Sequence, residues 1–158
     1  MKKLRLDFIE FTKNKNLFQK IGIIFFNPNF KAVKLFRLSN FFYRHHLKVL
    51  AKICWYINRR KYMVDIDYRA DLAGGFVLVH GLVCVIGKSV RSLGKLKIYQ
   101  GVTIGGTGKI RDINGKKIGM PILGDNIVCG CNSSILGPVI IKDNFFVKAH
   151  SLVIKDVE

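Results

Sequence analysis

The chain has 158 residues, of which 49% are hydrophobic, so it can bury one core and is too apolar to be disordered. Its formal net charge is +17, and residues 1–62 carry +13 with two acidic residues. Such a basic half predicts an anionic partner, and the candidates are an anionic membrane surface, a nucleic acid or an acidic glycan. The alternative is a solvated basic face without a partner. No nucleic-acid reading motif is recognisable, so no nucleic acid is expected.

The first 62 residues read as a basic amphipathic helical region. Residues 1–26 predict one helix, with phenylalanines among lysines. Asn27 and Pro28 predict a helix start, as N-cap and first helical residue, for a helix that runs to about Arg44. A second helix is predicted from about Leu47 to Tyr62. The apolar faces can lie on a membrane or pack against the remainder of the protein, and the sequence leaves both open.

From Val64 onward a six-residue spacing replaces the helical pattern, so residues 63–158 form a second predicted region. The repeated positions are Ile66, Leu72, Leu78, Ile86, Ser92, Ile98, Ile104, Leu123, Cys129, Ile135, Ile141, Val147 and Val153. One inward aliphatic residue per six indicates a parallel β-helix of hexapeptide repeats, in which three short strands form one coil. Stacked coils supply the core that one coil lacks. The fold class is therefore α+β, with N-terminal helices before the β-helix.

Two irregularities interrupt the spacing. The step from Leu78 to Ile86 is eight residues, which predicts a two-residue bulge that contains His80. Residues 108–120 predict a turn-rich loop that leaves the coil. A loop that leaves a rigid scaffold is a common position for binding residues.

The four cysteines, Cys54, Cys84, Cys129 and Cys131, lack the spacing of a zinc or redox site, and no other metal cluster is visible. Cys129 occupies an inward position and is expected to behave as a small hydrophobic residue. Since no signal peptide or apolar run of ~20 residues is evident, a cytoplasmic location is expected, peripheral to the inner face of the membrane.

Residues of the repeat resemble a known family. Asp65 lies fifteen residues before His80, and residues 99–109 read Tyr-Gln-Gly-Val-Thr-Ile-Gly-Gly-Thr-Gly-Lys. With Ile135-Leu136-Gly137 and the later hexads, this pattern resembles the hexapeptide-repeat acyltransferases of the serine acetyltransferase type over residues 64–157. The N-terminal helices look more like the branch that acetylates capsular or exopolysaccharide sugars.

The resemblance implies a left-handed β-helix, a homotrimer and an acetyl-CoA-dependent O-acetyltransferase. His80 matches the catalytic histidine, which would accept the proton of the attacking hydroxyl. Asp65 matches its carboxylate partner, which would orient the imidazole. By the same resemblance, acetyl-CoA would lie between adjacent chains, lined by Gly106, Thr107, Lys109, Cys131 and Ala149.

Other basic and histidine residues have simpler interpretations. Lys148 and Lys155 can neighbour the CoA phosphates or remain solvated. His45 and His46, between the two predicted helices, are expected at the surface or at an interface. His150 is expected to be a corner residue without a catalytic role.

Two positions depart from the serine acetyltransferases. Val79 stands where these enzymes have an aspartate before the catalytic histidine, and Met120 stands where a second histidine precedes a proline. Since both family residues help to hold serine, the sequence predicts a sugar hydroxyl of a surface polysaccharide or its precursor as the acceptor. The alternatives are serine O-acetyltransferase itself and a non-catalytic β-helix scaffold.

Overall fold

The computed structural model describes residues 2–113 and 115–157, in which helices precede strands. The helices are α1 (Lys2–Phe11), α2 (Leu17–Phe26), α3 (Pro28–Arg44) and α4 (Lys48–Tyr62). Asn27 accepts a hydrogen bond from Phe30 N and Pro28 is the first residue of α3, so the predicted helix start is confirmed. The prediction of one helix over residues 1–26 is wrong, because the Asn16–Gln19 capping box begins a new helix.

The strands form a three-sided parallel β-helix. Face 1 contains β1 (Asp65–Ile66), β4 (Val85–Ile86), β7 (Thr103–Gly105), β12 (Ser134–Leu136) and β15 (Leu152–Val153). Face 2 contains β2 (Asp71–Leu72), β5 (Arg91–Ser92), β10 (Ile122–Leu123) and β13 (Ile140–Ile141). Face 3 contains β3 (Phe76–Leu78), β6 (Leu96–Ile98), β11 (Ile127–Cys129) and β14 (Phe146–Val147). The predicted inward positions are buried, except that Val153 is partly buried at the last coil.

The strand register reproduces both irregularities of the repeat. Val85 pairs with Asp65, twenty residues earlier, and with Thr103, eighteen residues later. The two additional residues between the first two coils are the predicted bulge. Thr103 pairs with Ser134, because the chain leaves the coil after β7 and returns at β10. The predicted loop contains a hairpin of β8 (Arg111–Ile113) and β9 (Lys116–Ile118), which the sequence analysis did not anticipate.

Helix α3 covers the open first coil, whose backbone has no preceding coil to pair with. Phe36 packs edge-on against Phe76, at 6.2 Å between ring centroids, and closes the core. Arg37 donates to the carbonyls of Leu72 and Ala73, and Asn40 donates to those of Tyr68 and Ala70. These side chains satisfy an exposed strand edge that would otherwise be left unpaired. Part of the helical region therefore packs against the β-helix.

Candidate active site

His80 lies at the corner where the chain passes from face 3 to face 1. This histidine corner comprises residues 79–84, 99–102, 130–133 and 148–151. His80 is exposed, and its ring lies 6.3 Å from that of Tyr99 in the next coil. Backbone bonds connect the stacked turns, from Gly101 N to Leu82 O at 3.0 Å and from His150 N to Cys131 O at 2.9 Å. The corner therefore forms a continuous edge that carries His80, Cys131 and Ala149.

One residue in each stacked turn of the histidine corner has a positive φ: Val83, Gly101, Asn132 and His150. The left-handed conformation is strained for a β-branched residue, so the valine is held there by the coil around it. His150 has φ 58° at the end of this column and is exposed. Its place as a corner residue agrees with the sequence analysis.

Asn29 of α3 fixes the backbone on both sides of His80. Its Nδ2 donates to the carbonyl of Val79 at 2.9 Å, and its Oδ1 accepts from the amide of Gly81 at 2.9 Å. A Cβ at Gly81 would lie 3.0 Å from Asn29 Oδ1, so the absent side chain permits this close approach. The sequence analysis missed Asn29, because a bond across 52 positions leaves no local pattern.

Asp65, the predicted partner of His80, has other partners in this chain. Its Oδ1 accepts from Trp55 Nε1 at 2.9 Å, and its Oδ2 lies 3.4 Å from Arg59 Nη1. Within the described residues, Asp65 makes no hydrogen bond to His80. The structure thus connects Asp65 to α4 and does not bring the two predicted catalytic residues into contact. The catalytic role of Asp65 stays a prediction, and the sequence analysis missed Trp55 and Arg59.

The glycine-rich segment lies at another corner, between face 1 and face 2. This glycine corner comprises residues 67–70, 87–90, 106–121 and 137–139. Gly106, Thr107 and Lys109 are exposed there, and a Cβ at Gly137 of the next coil would lie 3.2 Å from Thr107 Oγ1. A Cβ at Gly105 or at Gly108 would meet no atom within 4 Å, so a ligand can approach this backbone closely.

Val79 and Met120 are both packed against the core. A Cβ at Gly106 would lie 2.9 Å from both Cε and Sδ of Met120, so this side chain fills the space beside the glycine. Val79 is half-buried, and its carbonyl accepts from Asn29. Packing therefore accounts for both residues without reference to an acceptor.

The five predicted cofactor residues divide between the two corners. Gly106, Thr107 and Lys109 lie at the glycine corner, whereas Cys131 and Ala149 lie at the histidine corner with His80. Each strand of face 1 is two or three residues long, so the two corners lie roughly 10 Å apart. A single chain therefore does not bring all five residues together.

Burial distinguishes the cysteines near the site. Burial raises the pKa of Cys129 to about 12, and it also raises the pKa of Cys84. Both thiols point into the core, which agrees with the prediction for Cys129. Cys131 is partly exposed at the histidine corner.

Comparisons with known proteins identify relatives along nearly the whole chain. No family model matches. The chain is 32% identical over 157 residues to a serine acetyltransferase of Synechococcus elongatus, covering 99% of this chain and 62% of that protein. It is 28% identical over 138 residues to a serine acetyltransferase of Helicobacter pylori, covering 87% of this chain and 78% of that protein.

Solved structures agree on the fold. The serine acetyltransferase of Neisseria gonorrhoeae in complex with serine matches with a TM-score of 0.84 at 27% identity, covering 99% of this chain and 62% of that chain. A serine acetyltransferase in complex with CoA matches with a TM-score of 0.85 at 20% identity, covering 99% and 63%. The chain thus spans about three fifths of these solved relatives.

The fold and the repeat define a hexapeptide-repeat protein with N-terminal helices and a left-handed parallel β-helix, as predicted. Within this class, the proteins that match the chain are serine acetyltransferases. They do not support the capsular or exopolysaccharide branch. The prediction of a sugar acceptor is wrong, because relatives along most of the chain are serine acetyltransferases. It rested on Val79 and Met120, whose side chains the structure explains by packing.

Proposed function

We propose that this protein is an acetyl-CoA-dependent O-acetyltransferase whose acceptor is the hydroxyl group of serine. The observation that carries the proposal is His80, exposed at a corner and held on both sides by Asn29. Support comes from the serine acetyltransferases that match most of the chain. Because the chain spans only part of some of these proteins, their activity is proposed here for the chain.

His80 supplies the general base of the reaction. A serine hydroxyl is a weak nucleophile at neutral pH, and a neutral imidazole can accept its proton as the oxygen attacks a carbonyl. As the serine oxygen bonds to the acetyl carbon, the carbon–sulfur bond of acetyl-CoA breaks, and the leaving thiolate takes the proton from His80. Asn29 holds the His80 backbone, so the imidazole begins from a fixed position. Asp65 would support the protonated imidazole once the carboxylate faces it.

The residues of both corners fit acetyl-CoA. The open backbone at Gly105 and Gly108 allows an extended ligand to approach, and Lys109 can face its phosphates. Cys131 and Ala149 have small side chains, which leave space for a ligand beside the histidine corner. Because the two corners lie on opposite edges of face 1, we propose that the complete site forms between two chains of a homotrimer.

The activity is tested by incubating the protein with acetyl-CoA and L-serine and measuring O-acetylserine by mass spectrometry. His80→Ala is expected to lower the rate by about 10²–10⁴, which is the usual contribution of a positioned base. His45→Ala, at an exposed histidine beyond the end of α3, is the matched control. Absence of O-acetylserine with the folded wild-type protein would contradict the proposal. Absence of acetyl-CoA binding as well would favour the scaffold alternative.

The shared site is tested by mixing two inactive variants. His80→Ala disables one corner, and Thr107→Trp blocks the other. If each site uses the histidine corner of one chain and the glycine corner of its neighbour, mixed trimers contain sites with both corners intact. Refolding the variants together is then expected to restore part of the activity. If light scattering shows a monomer and that monomer is fully active, the proposed assembly is contradicted.

A further inference from the structure

Helix α2 presents an apolar surface that no other part of the described chain covers. Six of its ten residues are exposed apolar side chains, namely Leu17, Phe18, Ile21, Ile24, Phe25 and Phe26. Phe18 is 86% exposed and Phe26 is 82% exposed, whereas Ile23 is the buried member of the helix. Clustered exposed phenylalanines of this kind mark an interaction surface.

Clefts adjoin this surface. One cleft, between α1, α2 and α3, is lined by Phe8, Ile24 and Phe30, with Lys34 at its edge. Lys34 also lines the neighbouring cleft of about 880 Å³ between α1, α3 and α4. Apolar side chains therefore continue from Ile24 of α2 into the first cleft, whereas six lysine or arginine residues help to line the second.

The charges around α2 are almost all positive. Asp7 is bound to Arg37 and Glu10 to Lys95, so both acidic residues of the helical region already have cationic partners. Lys31 and Lys34 form no ion pair within the described residues and line the cleft between α1, α3 and α4. An exposed apolar helix beside unpaired lysines complements a lipid surface with anionic headgroups.

Two copies of this surface would pair poorly face to face. Residues 1–62 carry net +13, so two such faces would repel each other. An anionic bilayer instead attracts the lysines and accepts the phenylalanines. No helix in the described residues is long and apolar enough to cross a membrane.

We infer that the helical region binds the surface of an anionic phospholipid bilayer, with α2 inserted among the headgroups and Lys31 and Lys34 against their phosphates. The lysines provide an attraction that salt screens over ~10 Å. The inserted side chains provide an attraction that salt does not remove.

The experiment is co-sedimentation of the full chain with phosphatidylglycerol–phosphatidylcholine vesicles and with phosphatidylcholine vesicles, across a salt series. The wild-type protein is expected to bind the anionic vesicles at low salt and to keep a measurable fraction bound at high salt. Phe18→Ser with Phe26→Ser is expected to abolish the salt-resistant fraction. The matched control, Phe146→Ser, removes a phenylalanine that is 58% exposed on face 3 and should bind as the wild type does.

Two double variants test the electrostatic attraction between the lysines and the anionic vesicles. Lys31→Gln with Lys34→Gln is expected to weaken binding at low salt by about 10- to 30-fold, near fivefold for each lysine. Lys116→Gln with Lys117→Gln makes the same charge change on the exposed hairpin and should have a smaller effect.

Three outcomes would overturn the inference. The first is no binding to anionic vesicles at low salt by a folded protein. The second is binding that disappears at moderate salt and is unchanged by the phenylalanine substitutions. The third is self-association without vesicles that the same substitutions abolish, because α2 would then be covered by a second copy.

Discussion

The side-chain amide of Asn29 holds His80 in place by bonding to the backbone before and after it. The donor and the acceptor of one amide are both used, at 2.9 Å each. Asn40, on the same helix, bonds two carbonyls of the same coil at positions away from His80, at 2.8 and 3.0 Å. The two asparagines thus have similar structural roles, but only Asn29 neighbours the proposed base.

Replacing Asn29 is expected to lower the rate of acetyl transfer more than stability explains. Each lost hydrogen bond costs about 1 kcal/mol of unfolding free energy. Asn40→Ala also loses the bond from Arg44 Nε, so it should be destabilised at least as much as Asn29→Ala. Asn29→Ala should also lower kcat about tenfold, because the His80 backbone is released, with little change in KM for acetyl-CoA. Steady-state kinetics and urea unfolding of both variants provide the comparison.

Asn29→Asp refines this test, since the carboxylate can accept from Gly81 but cannot donate to Val79. Its kcat should lie between those of the wild type and Asn29→Ala. Equal kcat losses in the Asn29 and Asn40 variants would mean that Asn29 acts through stability alone.

Asp65 is expected to affect catalysis less than His80 does. Asp65→Asn removes the negative charge that would stabilise the protonated imidazole, while the amide oxygen can still accept from Trp55. Trp55→Phe deletes that donor and leaves the carboxylate in place. If Asp65 serves His80, Asp65→Asn should lower kcat well below that of Trp55→Phe. Equal rates for Asp65→Asn and wild type would assign Asp65 to anchoring α4.

Thiol labelling can test the histidine corner without a turnover assay. Burial raises the pKa values of Cys54, Cys84 and Cys129, so these thiols carry little thiolate at mildly alkaline pH. Cys131 is partly exposed and should be labelled first by a maleimide in the native protein. Acetyl-CoA should slow this labelling if it lies beside Cys131. Labelling at an unchanged rate with saturating acetyl-CoA would remove Cys131 from the cofactor site.

The repeating part of the fold could be predicted from the sequence, whereas the contacts around His80 could not. One inward residue in every six is a local pattern that can be seen in the sequence. The spacing changes at the bulge and at the loop, so the strand register can be predicted by counting residues between inward positions. The start of α3 was predictable because Asn27 and Pro28 are adjacent in the sequence. The bonds of Asn29 to the His80 turn join distant positions, and no periodicity encodes them.

The acceptor prediction failed for a related reason. The prediction treats Val79 and Met120 as if these two positions alone formed the acceptor site. In the folded chain both side chains pack against the core, so local packing explains why a valine and a methionine stand at these positions.

Asp71 forms partly exposed ion pairs with Lys3 and Arg44, and these pairs make a small, pH-dependent contribution to stability. The pKa of Asp71 is lowered because it accepts from Lys3 of α1, with Arg44 of α3 adding to the effect. A carboxyl whose pKa is lower in the folded state stabilises the protein at pH values above its unfolded-state pKa, which is near 4. This stabilisation disappears as the pH falls through the folded-state pKa. The stability difference between wild type and Asp71→Asn should therefore be present at pH 6 and vanish in acid, as measured by urea unfolding at each pH. A difference that persists at low pH would have another cause.

The buried Asp7–Arg37 pair is expected to control the attachment of the helices to the first coil. Asp7 is fully buried and accepts two bonds from Arg37, at 2.7 and 2.9 Å. It also accepts from the amides of Gly75 and Phe76. Asp7→Ala leaves a buried guanidinium without its counter-charge, which should cost about 3–5 kcal/mol of unfolding free energy.

The control is Asp156→Ala, which breaks the more exposed pair with Arg111 and removes the acceptor of the Ile140 amide, and should cost about 1–2 kcal/mol. Urea unfolding followed by circular dichroism measures both values. If the helices unfold separately, Asp7→Ala will show a first transition with loss of helical signal while the β-helix remains folded. Similar small losses for both variants would show that the buried pair does not control the attachment. In that case the packing of Phe36 on Phe76 and the hydrogen bonds of Asn29 and Asn40 to the first coil would hold α3 in place.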